Sequence, residues 1–494
     1  MKARLLEIAR HGLVYGLGNV SQQLIGFILL PVYTSRLSTS DYGLLALLMA
    51  FSTLLGVLLG MGLSTTLFRF FFRQNDEQSR RQVVSTTLFW LIGVGVIEIL
   101  AIWLTAKRLS EWIFNTDQYA VHLSLVAVTL ALNLLRSVPL AVLRAQKRAG
   151  HYTGLVLSLF VFGIFANIYV VIVLEMGVLG ILMANAVTAF LFIIVGLVLC
   201  RQFIRLTLSR DMLIAMLRYT IPLVPAALGI YILQRSDRWF LQHYVTLSAV
   251  GIYSLGYQFG NIITMTLVQP FQLIWLPLVF EMWQKKDAKL FYERMLTYFS
   301  LFAFWIGLGV SLFSKEVIWI ATKPAYHEAY AVVSWITLSS ILYGGYYVVN
   351  IGIFLVDKTS YAMWIVGMAA VVNIVLNFLL IPSFGAMGAA IATALSYLAL
   401  FIIAWQVNRR VLPLNYEWRR ISKILVAFAL LMACGEYPYE NIYLGLALKF
   451  ILVIAYWGLL LLFRFFQTNE LAAIRTIGFQ IVDRLKLYSN TSRS

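Results

Sequence analysis

Fourteen apolar runs follow one another along the chain of 494 residues, from 12–35 to 441–463, and all but one exceed 20 residues. About 20 apolar residues in a helix cross the ~30 Å hydrocarbon layer, and a helix satisfies its own backbone polar groups there. The runs predict an all-α polytopic membrane protein with about 14 transmembrane helices. Only 12% of the residues are charged, against ~25% in ordinary soluble domains. The weakest run, 421–435, is cut short by Glu436 and Pro438. Cys200 and Cys434 close the sixth and thirteenth runs, a membrane thickness apart, beyond the ~7 Å reach of a disulfide.

A net charge of +17 would suggest nucleic acid in a soluble chain. Here the cations sit in short gaps between apolar runs, so no nucleic-acid partner is expected. With the N-terminus inside, 29 of the 38 Lys and Arg fall in inside segments and seven outside, leaving Arg136 and Lys449 within spans. This bias places both termini in the cytoplasm of a cell (inner) membrane protein.

An internal repeat appears at an offset of 208 residues. Gly43, Leu47 and Phe51 meet Gly251, Leu255 and Phe259; Gly177, Gly180, Ala184 and Ala186 meet Gly385, Gly388, Ala392 and Ala394. The offset pairs spans 1–6 with spans 7–12, in the same direction because six is even. Parallel repeats about an axis along the membrane normal are a recurrent transporter plan. The expected organisation is an N-terminal six-helix lobe at 1–211, a C-terminal six-helix lobe at 212–415, spans 13 and 14 at 416–465, and a cytoplasmic tail at 466–494. Within the tail, Leu471, Ile474, Ile477, Ile481 and Leu485 form one apolar stripe, as in a surface helix.

No GxxxxGK[ST] loop, HExxH, CxxC pair or His/Cys/carboxylate cluster occurs, so neither a cofactor nor a metal is expected. No outer loop is long enough for the catalytic carboxylates of a membrane-embedded glycosyltransferase or ligase, which argues against an enzyme.

Three stretches carry a family resemblance. Leu37 to Ala46 reads LSTSDYGLLA, Ser236 to Gly260 reads SDRWFLQHYVTLSAVGIYSLGYQFG, and Asn377 to Ala390 reads NFLLIPSFGAMGAA. They resemble the polysaccharide (O-antigen, Wzx-type) flippases of the multidrug/oligosaccharidyl-lipid/polysaccharide exporter superfamily, over nearly the whole chain. The resemblance implies a transporter moving a polyprenyl-diphosphate-linked oligosaccharide from the inner to the outer leaflet for lipopolysaccharide or exopolysaccharide synthesis. It also implies membrane lipids, a polysaccharide polymerase and chain-length machinery as partners, and a prenyl-tail groove at spans 13 and 14. The alternative is a drug/cation antiporter of the same fold, which would carry acidic residues deep in its N-terminal lobe.

Ionisable residues inside spans are functional candidates because they are costly there. Guanidinium groups suit a diphosphate through bidentate, charge-assisted bonds. Asn133, Arg136 and Arg144 fall within ~80° on the fourth span, and Pro139 is expected to kink it. Gln234, Arg235, Asp237 and Arg238 end the seventh span, with Arg235 and Arg238 neighbours at i, i+3. Arg136, Arg235, Arg238, Asn133, Asp237 and Arg144 are the expected substrate contacts. The competing reading is snorkelling or interfacial anchoring. Glu98, without a cation within a helical turn, is the candidate for ion coupling. Tyr343, Tyr346 and Tyr347 are candidates for stacking on sugar.

Overall fold

The computed structural model describes residues 25–205, 207–356, 358, 360–435 and 442–470. The tail helix expected over Leu471–Leu485 and the first half of the 12–35 run lie outside the described residues. Among the described residues every regular element is helical. They are α1 (25–36), α2 (Thr39–Gly60), α3 (Leu63–Arg73), α4 (Glu77–Phe114), α5 (Ala120–Ala145), α6 (Ala149–Ile168) and α7 (Gly177–Leu199). After them come α8 (Arg210–Thr220), α9 (Val224–Tyr244), α10 (Leu247–Gly260), α11 (Gln269–Met282) and α12 (Ala288–Ala321). The rest are α13 (Tyr330–Val349), α14 (Ile351–Leu355), α15 (Ser360–Val411), α16 (Trp418–Gly435) and α17 (Ile442–Leu462).

Among the described residues, eleven helical stretches are long and apolar enough to cross a membrane. One of them, α15, is two helices meeting at Gly385, whose φ of 53° and ψ of −131° are not helical. Counting these separately, and adding the first run and α16, gives the expected fourteen. Proline does less than expected in α5, which continues as one helix through Pro139. The ring is accommodated at a close approach, because a Cβ on Gly196 of α7 would lie 2.8 Å from its Cγ.

The chain divides into two units, Met1–Phe280 with Ser314–Pro413, and Glu281–Phe313 with Leu414–Ser494. In the first, the 208-residue repeat acquires a physical basis. Ser38 caps α2, its Oγ accepting from Asp41 N at 3.1 Å while the Asp41 carboxylate accepts from Ser38 N at 3.0 Å. Thr246, the equivalent of Ser38, caps α10 by accepting from Ala249 N at 3.1 Å. These caps satisfy amide groups that a helix start would leave open. The two capped ends cross at Gly43 and Gly251. A methyl group on Gly43 would run into the Leu247 carbonyl oxygen, and one on Gly251 into that of Thr39. Thr39 and Leu247 are themselves equivalent, so the contact is reciprocal, as a twofold axis between α2 and α10 requires. Ser248 Oγ donates to Thr39 Oγ1 at 2.7 Å, and Tyr42 Oη to Gln258 Oε1 at 3.0 Å. Tyr326 Oη reaches the Leu37 and Ser38 carbonyls at 3.2 and 2.8 Å.

The other glycine matches are equally physical. Gly177 and Gly385 both take left-handed φ, 56° and 53°, where a side chain is disfavoured. Each half also holds a buried amide lock. In the first, Tyr33 Oη donates to Asn167 Oδ1 at 3.0 Å, and Asn167 Nδ2 to Asn185 Oδ1 at 3.3 Å, joining α1, α6 and α7. In the second, Ser236 Oγ donates to Asn373 Oδ1 at 2.8 Å, and Asn373 Nδ2 to Ser396 Oγ at 3.1 Å, joining α9 to both parts of α15. Equivalent spans are fastened in equivalent ways by different residues.

The second unit packs the first part of α12 against α16 and α17 through Phe304–Phe428, Phe302–Trp457 and Trp305–Trp457 ring contacts. Its charged centre is Arg420, whose side chain is 9% exposed. Arg420 donates to Glu417 at 2.9 Å and to both oxygens of Glu470 at 2.9 and 2.8 Å, while its guanidinium lies 4.4 Å from the centre of the Phe465 ring. Tyr298 Oη and Gln467 N also donate to Glu470, at 2.6 and 2.9 Å. Burial pushes the Glu470 carboxyl up, but these hydrogen bonds and the charge of Arg420 outweigh it and hold it below the usual glutamate range.

Two predictions follow from these contacts. A methyl at the crossing overpacks a backbone contact, at a typical cost of ~1–3 kcal/mol. Cysteines replacing Thr39 and Ser248 should therefore cross-link readily, and adding Gly43→Ala should cut the yield several-fold. An unchanged yield would show that the crossing has room for a methyl group. For the tail, a chain ending after Glu470 should match the full chain in thermal stability, whereas one ending after Phe466 loses Gln467 and Glu470 and strands Arg420, costing roughly 1–3 kcal/mol. Because the folded pKa of Glu470 is depressed, its contribution is complete above the ordinary glutamate pKa and fades as pH falls through the folded value. Glu470→Gln should flatten that acid limb in a melting series. Equal melting of the 466- and 470-residue chains would contradict the assignment.

Candidate functional site

The crossing brings the two halves of the repeat into backbone contact near the start of α2. Ser52, Thr53, Gly56 and Val57 of α2, Met61, Gly62, Leu130 of α5, and Leu223, Val224 and Ala227 line a cavity of about 530 Å³. From Gly43 to Gly60 is ~25 Å along α2 at 1.5 Å per residue, so the crossing and the cavity lie at opposite ends of the same helix. The walls are mostly small or aliphatic, and the candidate charges are not among the lining residues.

On α5, Leu130 borders the cavity and Leu134 reaches Gly60 of α2. Ala131 touches Gly95 of α4, and Pro139 touches Gly196 of α7. Asn133 and Arg136 fall in the sector these neighbours leave free, and both are half-buried. Arg136 Nε is buried with no hydrogen-bond partner, and among the described residues Arg136 has no carboxylate partner. Arg144, expected on the same face, is exposed at the helix end, with its guanidinium 5.8 Å from the Tyr152 ring.

The two arginines of α9 have different fates. At 100° per residue, Arg235 lies within ~20° of cavity-lining Val224 and ~40° of Trp239, which meets Phe51 of α2. Arg235 is therefore on the α2-facing stripe, half-buried, with no hydrogen bond or ion pair to a described residue. Arg238, ~60° round the helix from Arg235, is 1% exposed. It donates to Asp237 Oδ1 at 2.9 Å and to the Gln234 carbonyl at 3.0 Å, beneath the Tyr257 ring at 4.6 Å. Tyr253 Oη donates to the other Asp237 oxygen. Asp237 and Arg238 thus neutralise each other inside the C-terminal half, and removing one partner would leave an uncompensated buried charge, at a cost of ~3–5 kcal/mol. The Tyr253 contact, 15 residues from Arg238, is the part no spacing rule exposes.

Glu98 is 4% exposed, and neither carboxylate oxygen has a hydrogen-bond partner. It shares the α5-facing stripe of α4 with Gly95 and Ile102, at i−3 and i+4. The tyrosine group is more enclosed than a sugar platform would be. Tyr343 and Tyr397 line a space of about 10 Å³ with Gln234, Tyr257 and Asn261, room for roughly one water. Tyr343 and Tyr347 hydrogen-bond to each other at 2.8 Å. Among the described residues no group of three or more His, Cys, Asp or Glu is placed to hold a metal ion.

Comparison with known proteins places this geometry. The family described as polysaccharide biosynthesis protein matches residues 35–331, more than half of the chain. The chain is 23% identical over 361 residues to "Lsg locus putative protein 1" of Haemophilus influenzae, covering 72% of this chain and 82% of that protein. A second H. influenzae protein, an "Uncharacterized membrane protein", is 21% identical over 292 residues, 58% of this chain and 68% of its own. Among solved structures, the lipid II flippase MurJ in an inward closed conformation superposes with a TM-score of 0.71 at 12% identity, over 91% of this chain and 99% of its own. An inward-facing multidrug resistance MATE family transporter of the MOP superfamily gives 0.66 at 14% identity, over 81% and 94%. At such identities the likeness is one of fold. The chain belongs to the polysaccharide biosynthesis protein family and has the membrane fold that MurJ and the MATE transporters share.

Proposed function

We propose that this protein is a flippase that carries a polyprenyl-diphosphate-linked oligosaccharide from the inner to the outer leaflet by alternating access, and is not an enzyme. The observation that carries the reading is a pair of half-buried arginines, Arg136 on α5 and Arg235 on α9, without carboxylate partners among the described residues, on two helices that also contribute Leu130, Val224 and Ala227 to a cavity of about 530 Å³. A cation in a span is expensive unless something neutralises it, and a diphosphate does so while gaining charge-assisted hydrogen bonds. In this reading Arg136, Arg235 and Asn133 contact the diphosphate, Arg144 attracts it at the entrance, and the Asp237–Arg238 pair sets the rotation of α9 that presents Arg235. Glu98 takes up a proton during the cycle. The two six-helix lobes, 1–211 and 212–415, rock about the glycine crossing. With both termini in the cytoplasm of the inner membrane, the cavity faces inward. Polymerase and chain-length proteins would receive the product outside. A cation-coupled drug antiporter is the second reading, favoured by the buried Glu98; one acidic residue is thin support beside two unpaired arginines.

Glycan export in cells lacking their own flippase for the same glycan tests these roles. Arg136→Ala and Arg235→Ala should abolish export with the protein still inserted. Arg→Lys should impair it, since lysine lacks the planar two-pronged contact; a lost charge-assisted bond at ~1.5–3 kcal/mol is roughly a ten- to hundredfold loss of affinity. Normal export by both lysine variants would remove these arginines from the substrate site. Glu98→Gln should abolish dependence of export on the proton gradient, and a retained dependence would free Glu98 of that role. Orientation is separable. An impermeant thiol reagent on intact cells should label a cysteine replacing Gln118 and spare one replacing Asn75, and the reverse would invert the topology.

A further inference from the structure

The cavity mouth carries a feature that the fourteen-span plan does not require. Met61 and Gly62 take consecutive left-handed conformations, φ 43° and 64°, and end α2 at the cavity wall. The chain restarts as α3, whose Leu63, Leu67, Phe70 and Phe71 are buried in a core shared with Met216 of α8. The other face of α3 holds exposed Phe68, Arg69, Phe72 and Arg73. On the opposite side of the mouth, α8 ends at Thr220 and passes through the turn Ile221–Leu223 into α9. Leu223 and Val224 are again cavity wall. The two short helices thus leave the cavity from two of its lining segments and meet, with the Arg69 guanidinium 4.1 Å from the centre of the exposed Tyr219 ring.

The charges on this ledge are uncompensated. Arg69, Arg73 and Arg218 are exposed and form no ion pair among the described residues. Of the acidic residues nearby in sequence, Asp76 caps α4 by accepting from Ser79 N at 2.7 Å, Glu77 pairs with Arg81 at 2.6 Å, and Asp211 stands at the far end of α8, ~10 Å along the helix from Arg218. Aromatic and aliphatic side chains are interleaved with the arginines, with Phe68 and Phe72 4.8 Å apart and Ile221 and Leu223 about half exposed. Such a surface suits the headgroup level of a bilayer, where a ring sits at the boundary and a guanidinium meets phosphate. Stacking on Tyr219 holds Arg69 in place and leaves the edge of its guanidinium plane free for two parallel hydrogen bonds. Arg69 stands seven residues beyond cavity-lining Gly62, ~10 Å along the helix.

Resting on the flippase reading, we infer that α3 and α8 form an entry threshold where Arg69, stacked on Tyr219, and Arg218 capture the diphosphate of the lipid-linked substrate before it moves into the cavity. The occupant is a polyprenyl diphosphate and not an ordinary anionic phospholipid. A single phosphodiester charge is met by one guanidinium, whereas a diphosphate requires several, and here they flank the opening of a cavity large enough to receive the attached sugar.

The full chain in nanodiscs, titrated with a fluorescent polyprenyl diphosphate, provides the test, with phosphatidylglycerol and inorganic diphosphate as parallel ligands. Arg69→Gln with Arg218→Gln should weaken polyprenyl diphosphate binding at least tenfold, and Tyr219→Ala several-fold, while phosphatidylglycerol binding changes less than twofold. Lys107→Gln, an exposed cation remote from the mouth, should change neither. Equal weakening towards phosphatidylglycerol would overturn the threshold in favour of a general lipid anchor. Equal weakening towards inorganic diphosphate supports it, because the headgroup is the part recognised. Unchanged polyprenyl diphosphate binding in the variants would overturn the threshold alone. Absence of binding by the unaltered chain would overturn the flippase reading and the threshold with it.

Discussion

Two glycines hold the architecture together by having no side chains. At Gly43 and Gly251 the backbones of α2 and α10 approach so closely that a Cβ on either would meet a carbonyl oxygen of the other helix. In lipid there is no hydrophobic force between helices, so association relies on close packing and hydrogen bonds, both of which small residues permit. The Thr39–Ser248 and Tyr42–Gln258 bonds sit around that contact. Because the contact is reciprocal, its two halves form and break together. In the proposed cycle the crossing would act as a single element that is either made or broken, the kind of part a switch between opposite-facing states needs.

Electrostatics divides the membrane arginines into two classes. Arg238 is enclosed, and Asp237 with two tyrosines compensates it. The pair belongs to the framework, next to the Ser236–Asn373–Ser396 lock on α9 and α15. Arg235 and Arg136 are half-buried without a carboxylate partner among the described residues, a condition that costs stability. Proteins keep such strain where function uses it. The fold therefore supplies a rigid, neutral scaffold on one face of α9 and a reactive positive charge on another, three residues away.

Much of this was legible in the sequence, for reasons that can be named. Span count and the repeat depend on apolar length and on glycines, and Gly43, Gly251, Gly177 and Gly385 were readable because nothing else fits a close crossing or a left-handed turn. Arg136 and Arg235 were readable because charge in a span is rare. The distinction between Arg235 and Arg238 was not, since both lie on one helix and the spacing i, i+3 makes them neighbours. It is decided by Tyr253 and Tyr257 of another helix, to which no local pattern points. For the Tyr343 cluster the sequence favours core packing over stacking on sugar and decides neither, for the same reason in reverse: aromatic content is visible, and the room left between the rings is not. Arg69 reads from sequence as an ordinary boundary residue, and only the return of α8 against α3 supplies the ring beneath it.

The cavity walls show what the opposite state would require. When the crossing parts, the other ends of α2 and α9 must approach if the path is to stay closed somewhere. The residues that line the cavity on those ends include Ser52, Gly56 and Gly62 on one side and Ala227 on the other. They are the same class of small residue that permits the crossing at Gly43 and Gly251, but Val57 and Met61 on one side and Leu223 and Val224 on the other stand among them. A close approach there would bring together the segments from which α3 and α8 spring, and would carry Arg69 and Tyr219 with them. In the proposed cycle the ledge at the mouth and the residues inside it would move as one surface while the glycine crossing ~25 Å away parts.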